Sequence, residues 1–214
     1  MNQALAMNKT LFSAATAIVA VLVLTACSEA PTTPAPTTEA AKPAAPSGPV
    51  PALTAFYEMY KPARTWATDL LPLSLTSGEI KGIANQDGKA ALWTAVFVSP
   101  SRREARIFTY AVADQGGAIN KGVTAGAAQS WSGATAKSRP FQTTDFGIDS
   151  DAAFKTAEAK AAVWLKSHPG KKVSMTLVSD VRFPAPIWVV MWGTPSSGYM
   201  AFIDAVTGTA VRGH

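Results

Sequence analysis

Few side chains in this sequence could do chemistry. The 214 residues include two histidines, His168 and His214, and one cysteine, Cys27. A histidine base needs a nucleophile and an orienting acid, and the chain offers neither a Gly-x-Ser-x-Gly turn nor a cysteine partner. His168 opens His168-Pro169-Gly170, where a residue closing a helix and favouring its dipole accounts for it. His214 is the last residue. Asp204 could act as an acid or a ligand, but it precedes a Thr-Gly turn and has no carboxylate neighbour, so it reads as a turn cap. One cysteine excludes a disulfide framework within the chain and zinc sites of four cysteines, or of two cysteines and two histidines. No phosphate-binding glycine loop, EF-hand or pair of catalytic carboxylates occurs. The expectation is a protein that is not an enzyme, binds no metal and needs no cofactor.

Cys27 has a different use. Lys9 is the only charge among the first 26 residues, and an apolar run from Leu11 to Ala26 follows it, the pattern of a secretory signal. Met7 offers an alternative start with a shorter charged region. The run closes Leu24-Thr25-Ala26-Cys27, which resembles the bacterial lipobox: an aliphatic residue, two small residues, and the cysteine that is lipidated and becomes the first mature residue. The alternative is an uncleaved membrane anchor with an incidental Cys27. Acyl chains on one cysteine add up, at about 0.8 kcal/mol per buried methylene, to a lasting anchor. Ser28 follows. In lipoproteins of two-membrane bacteria, serine there implies export to the outer membrane, so the resemblance places the chain on its periplasmic side.

Composition then divides the chain. Overall it is 48% hydrophobic and 15% charged, which excludes disorder throughout. Residues 27–51 depart from this: seven of the 15 prolines lie there, among alanines and threonines, with no aromatic between Phe12 and Phe56. Such a segment buries too little to offset its ordering entropy and reads as a flexible, Pro/Ala/Thr-rich linker, whether to hold a domain off a bilayer or as a plain spacer.

The remainder repeats itself. Residues 53–71 carry apolar side chains at helical spacing, and Asp149, Ser150 and Asp151 cap a second helix bearing Phe154, Ala157, Ala161 and Leu165. Three strand-like runs follow each: Leu73–Ala84, Leu92–Val98 and Ala105–Val112, then Val173–Phe183, Ile187–Trp192 and Tyr199–Val206. Trp66 aligns with Trp164, Trp93 with Trp188, and Arg106–Val112 with Met200–Val206, which sets Tyr110 opposite Asp204. The expected fold is α+β, with two α-β-β-β repeats, each a helix packed on an antiparallel sheet: a first module at 52–123, a connector at 124–148 and a second module at 149–214. The run Phe202-Ile203-Asp204-Ala205-Val206-Thr207-Gly208-Thr209-Ala210-Val211 resembles the closing hairpin of PepSY-type modules. That resemblance covers about residues 149–212 and implies a cystatin-like helix on a sheet, in a family with proposed inhibitory or binding roles. The first half resembles a degenerate copy.

The strands also speak of surfaces. Ile187–Trp192 is apolar on both faces, so both should be covered. Either the other repeat or the connector lies over the second face, or Trp188 and Trp192 form an open aromatic surface for a partner. Lys and Arg number 19 against 14 Asp and Glu, a net +5, too diffuse for a nucleic-acid footprint. Arg102, Arg103 and Arg106 cluster at a hairpin, where they could touch anionic lipid or acidic cell-wall polymer, or simply be solvated. The functional expectation is an envelope lipoprotein attached to the membrane through Cys27. It would bind or inhibit an unidentified envelope protein or peptide, the alternative being a structural subunit of an envelope assembly.

Overall fold

The computed structural model describes residues Gly48–Gly213. Cys27, Ser28, the signal, most of the linker and His214 lie outside the described residues. Two α-helices and eight strands follow in the order α1 (Ala52–Trp66), β1 (Leu71–Gly78), β2 (Leu92–Ser99), β3 (Glu104–Ala111), β4 (Gly122–Ser130), α2 (Ser150–Ser167), β5 (Val173–Val178), β6 (Ile187–Trp192), β7 (Tyr199–Asp204) and β8 (Ala210–Val211), with a short 3-10 turn at Thr143–Asp145 before α2. The strands form one antiparallel sheet in the order β4-β3-β2-β1-β5-β6-β7-β8. Helix–strand–strand–strand–strand thus occurs twice. The two strands that follow directly on the helices, β1 and β5, pair at the centre with Leu75 opposite Leu177.

Both helices lie on one face. The row Ala125–Phe108–Ala95–Leu75–Leu177–Trp188–Ile203–Ala210 crosses all eight strands on that side, and Ala95, Leu75, Leu177, Trp188 and Ile203 within it are fully buried. On α1 the buried positions are Ala52, Ala55, Phe56, Met59 and Ala63; on α2 they are Ser150, Ala153, Phe154, Ala157 and Ala161, each displaced by 98 residues. This i, i+3, i+4 spacing turns one stripe of each helix to the sheet. One core joins both halves: Trp93 and Trp188 meet edge to face at 6.3 Å across the centre.

Two polar devices seat the helices. The Trp93 Nε1–H donates to the Val50 carbonyl (2.9 Å) and the Trp188 Nε1–H to the Ile148 carbonyl (2.8 Å), in each case two residues before a helix begins. α1 has no cap of its own, since Pro51 precedes it. Asp149 Oδ1 instead accepts from the backbone N–H of both Leu53 (3.0 Å) and Ser150 (2.6 Å), while Ser150 Oγ accepts from the Ala52 N–H (2.9 Å). A single carboxylate therefore satisfies orphan amides of both helix starts. The loop before β2 presses against this junction. Gly88, at φ 78°, leaves no room for a Cβ beside the Ser150 carbonyl.

Several expectations need correcting. The boundary between a first module at 52–123 and a connector at 124–148 cuts β4, which pairs with β3 along its length. The linker end is part of the fold, because Val50 bridges to Ala90 and is buried. The second face of the sheet is not covered by a helix layer. The alignment of the halves slips by one residue in the third strand: Trp93 pairs with Tyr110 and Trp188 with Ile203, so Ala111, not Tyr110, takes the place of Asp204.

Candidate interaction surfaces

The residues singled out from sequence divide into those the fold consumes and those it leaves open. Trp188 is fully buried and Trp192 is 4% exposed, packed against Phe154 and Tyr199. They are core, and of the two alternatives for this strand the open aromatic surface at these residues is the one that the burial of both rings excludes. Their side chains point to the helices, while on the other face Ile187 is buried and Phe183 stacks on Phe202.

The arginine cluster is also largely committed. The Arg102 guanidinium pairs with Glu104 (3.0 Å), donates to the Trp66 carbonyl (3.1 Å) and lies over the Trp66 ring. The Arg106 Nε–H donates to the Gly126 carbonyl (2.7 Å) on β4. Arg103 sits at the hairpin tip with φ 53°. Beside the hairpin, Asp69 accepts from the Ser99 hydroxyl (2.6 Å) and the Ser101 N–H (2.8 Å). These bonds hold its carboxyl down at about 2, which makes it a poor proton acceptor near neutral pH. Burial pushes the Asp149 carboxyl up, against the pull of the Leu53 and Ser150 amides.

His168 stacks on Trp164 at 4.1 Å, and its Nδ1 lies 2.9 Å from the Trp164 carbonyl. Asp204 accepts from the N–H groups of Val206 (2.9 Å) and Thr207 (2.8 Å), the turn-capping geometry. Among the described residues no three His, Cys, Asp or Glu converge on a metal-sized site, and no helix is long and apolar enough to cross a membrane. A shallow depression of about 650 Å³ lies among Glu79, Lys81, Asn85, Gln115 and Lys172, but its Glu79–Lys172 ion pair (2.6 Å) is already closed.

What stays open is backbone and sheet. β4 is an edge strand of nine residues, Gly-Val-Thr-Ala-Gly-Ala-Ala-Gln-Ser, exposed at every position after Gly122. It carries no charge and no proline, the usual guards of an edge. One side of it bonds to β3; the other pairs with no strand among the described residues. The opposite edge, β8, has two residues. The helix-free face beside β4 is uncharged through its middle. Thr124, Thr109, Thr94, Thr76 and Thr176 stand in one row across five strands, continued by Val189, Phe202 and Val211.

Sequence reasoning missed β4 because its Gly/Ala composition resembles a loop. The available signal was the two-sided polarity of an edge strand between turn residues.

No family profile matches the chain, and no curated protein matches it. Among solved structures, one described as a "putative lipoprotein" from Clostridium difficile 630 is similar at 9% identity, with a TM-score of 0.43, covering 74% of this chain and 90% of that one.

Proposed function

We propose that this chain is a non-catalytic lipoprotein of the bacterial envelope that captures an extended segment of another envelope protein or peptide by strand addition at β4. The observation that carries the reading is the β4 edge: nine uncharged residues, exposed at every position after Gly122, whose outer side pairs with no other strand among the described residues. An incoming strand would gain main-chain hydrogen bonds there, and its side chains would continue the rows on both faces of the sheet.

The anchor rests on the sequence alone. Leu24-Thr25-Ala26-Cys27 supports lipidation at Cys27, and Ser28 supports the periplasmic face of the outer membrane. The two halves read as a duplicated PepSY-like unit. The 98-residue recurrence of the buried helix positions and the matching Trp93 and Trp188 hydrogen bonds support this reading.

A photo-crosslinking residue at Ala127 in intact cells tests the capture. The expected result is a discrete adduct that disappears when Ala125→Lys and Thr124→Lys are added, with the melting temperature unchanged. Adducts that persist beside the lysines would rule out strand addition at β4. Separately, Cys27→Ser should move the protein from membrane to soluble fractions.

A further inference from the structure

The two helices bury equivalent stripes, but their outward faces differ. On α1 the charges are answered locally: Lys61 pairs with Glu58 at 2.7 Å, and Arg64 lies over the Tyr60 ring. On α2 they are not. Lys155, Lys160 and Lys166 on the helix and Lys171 and Lys172 just beyond it outnumber the two acids of the helix, Asp151 and Glu158. Among the described residues only Lys172 of these five is in an ion pair.

Ala152, Ala159 and Val163 share the outward ridge of the helix with Lys155 and Lys166 at i+3 and i+4 spacing, on the side opposite Ala153, Phe154, Ala157 and Ala161. Val163 is 82% exposed, the largest value among the exposed large hydrophobics. The outward face of α2 is thus a ridge on which lysines alternate with small apolar groups and can extend their ammonium groups beyond them, with Asp151 and Glu158 along one flank. A bilayer interface bearing negative headgroups complements both parts: the apolar groups meet the headgroup–acyl boundary and the lysines meet phosphates.

We infer that the outward face of α2 is a contact surface for anionic phospholipid, laying the domain down on the bilayer. It rests on the anchored reading above only for its setting. About 20 residues separate Cys27 from Gly48, a span of at most about 75 Å, so an acylated chain would hold the domain within reach of the surface. The tether raises the effective concentration of the contact, which the free chain makes on its own with lower occupancy.

The test removes the lipid. The processed chain from residue 27, carrying Cys27→Ser, is sedimented with vesicles of phosphatidylcholine containing 30% phosphatidylglycerol, and with phosphatidylcholine alone. Binding to the anionic vesicles only, reversed by about 0.5 M salt, is the expected result. Lys155→Glu with Lys166→Glu should weaken it by about tenfold or more. Val163→Asp should weaken it at constant lysine content, and Arg102→Glu with Arg103→Glu should leave it unchanged. Equal binding to neutral vesicles, no binding to anionic ones, or indifference to the Lys155 and Lys166 reversals would each overturn the inference. The lysines introduced into β4 to block strand capture touch none of these residues, so the two proposals fail independently.

Discussion

The halves of this molecule agree at the centre of the sheet and part at its rim. Near the centre, Trp93 and Trp188 occupy matching registers, make matching hydrogen bonds and touch each other. At the rim, the first half ends in a nine-residue open strand and the second in a two-residue one, while α2 carries Thr156 and Ala159 where α1 carries the Glu58–Lys61 ion pair. What the halves share keeps them folded together. What they do not share is free to meet other molecules, and both surfaces proposed above come from that part.

The largest blow to this division should come from its centre. Trp93→Ala and Trp188→Ala should each lower unfolding free energy by about 3–5 kcal/mol in urea titrations, since each removes a fully buried indole and its hydrogen bond. The double variant should show about 0.5–1.5 kcal/mol of coupling from the ring contact. Losses differing several-fold between the two would mean that the halves are not equivalent at the core.

Next comes the shared cap. Asp149→Ala should cost about 2 kcal/mol, because two helix starts lose an acceptor together. Hydrogen exchange should rise at Leu53 as well as at Ser150; protection lost only in α2 would show that α1 does not depend on it.

Acid should separate Asp149 from Asp69. The folded state holds Asp69 down at about 2, against an ordinary 3.8, so its contribution is present above 3.8 and disappears as pH falls through 2. Asp69→Asn should flatten that part of the acid-unfolding curve. Asp149 is shifted upward, so its contribution is present below 3.8 and is lost as pH rises through its folded value. Asp149→Asn should accordingly gain on the wild type as pH increases past 3.8. The reverse trend would place the carboxylate in a setting that favours its charge.

The smallest expected effect lies at the rim. Ala125→Lys and Thr124→Lys should change stability by no more than about 0.5 kcal/mol, because both side chains are exposed. A larger loss would assign β4 to the structural core and remove it from the surfaces available to a partner.

Much of this fold is legible in the residues. Ile187–Trp192 is a strand with the expected ends, and α2 starts at Asp149 and stops at His168 as its capping residues indicate. Periodicity reports which side chains share a face, and so it finds strands whose two faces differ. It does not find β4, where nothing on either face is buried. Nor does it settle whether an apolar face is open: Trp188 and Trp192 were candidates for a surface only because a strand pattern does not say which face the helices choose. The one-residue slip at Tyr110 follows from matching apolar letters instead of hydrogen-bonded partners. The cap on α1 is illegible for another reason, since its acceptor lies 96 residues away.

That distant acceptor bears on how the protein could be divided. A fragment ending before Ile148 would leave the first helix with bare amides and its tryptophan without the opposing indole. A fragment starting there would keep its own cap and lose the strand that shields its innermost edge. Neither piece should persist alone, yet the two mixed together have every complementary group needed to reassemble. The junction before Ile148 is therefore where a split reporter of this protein should be cut.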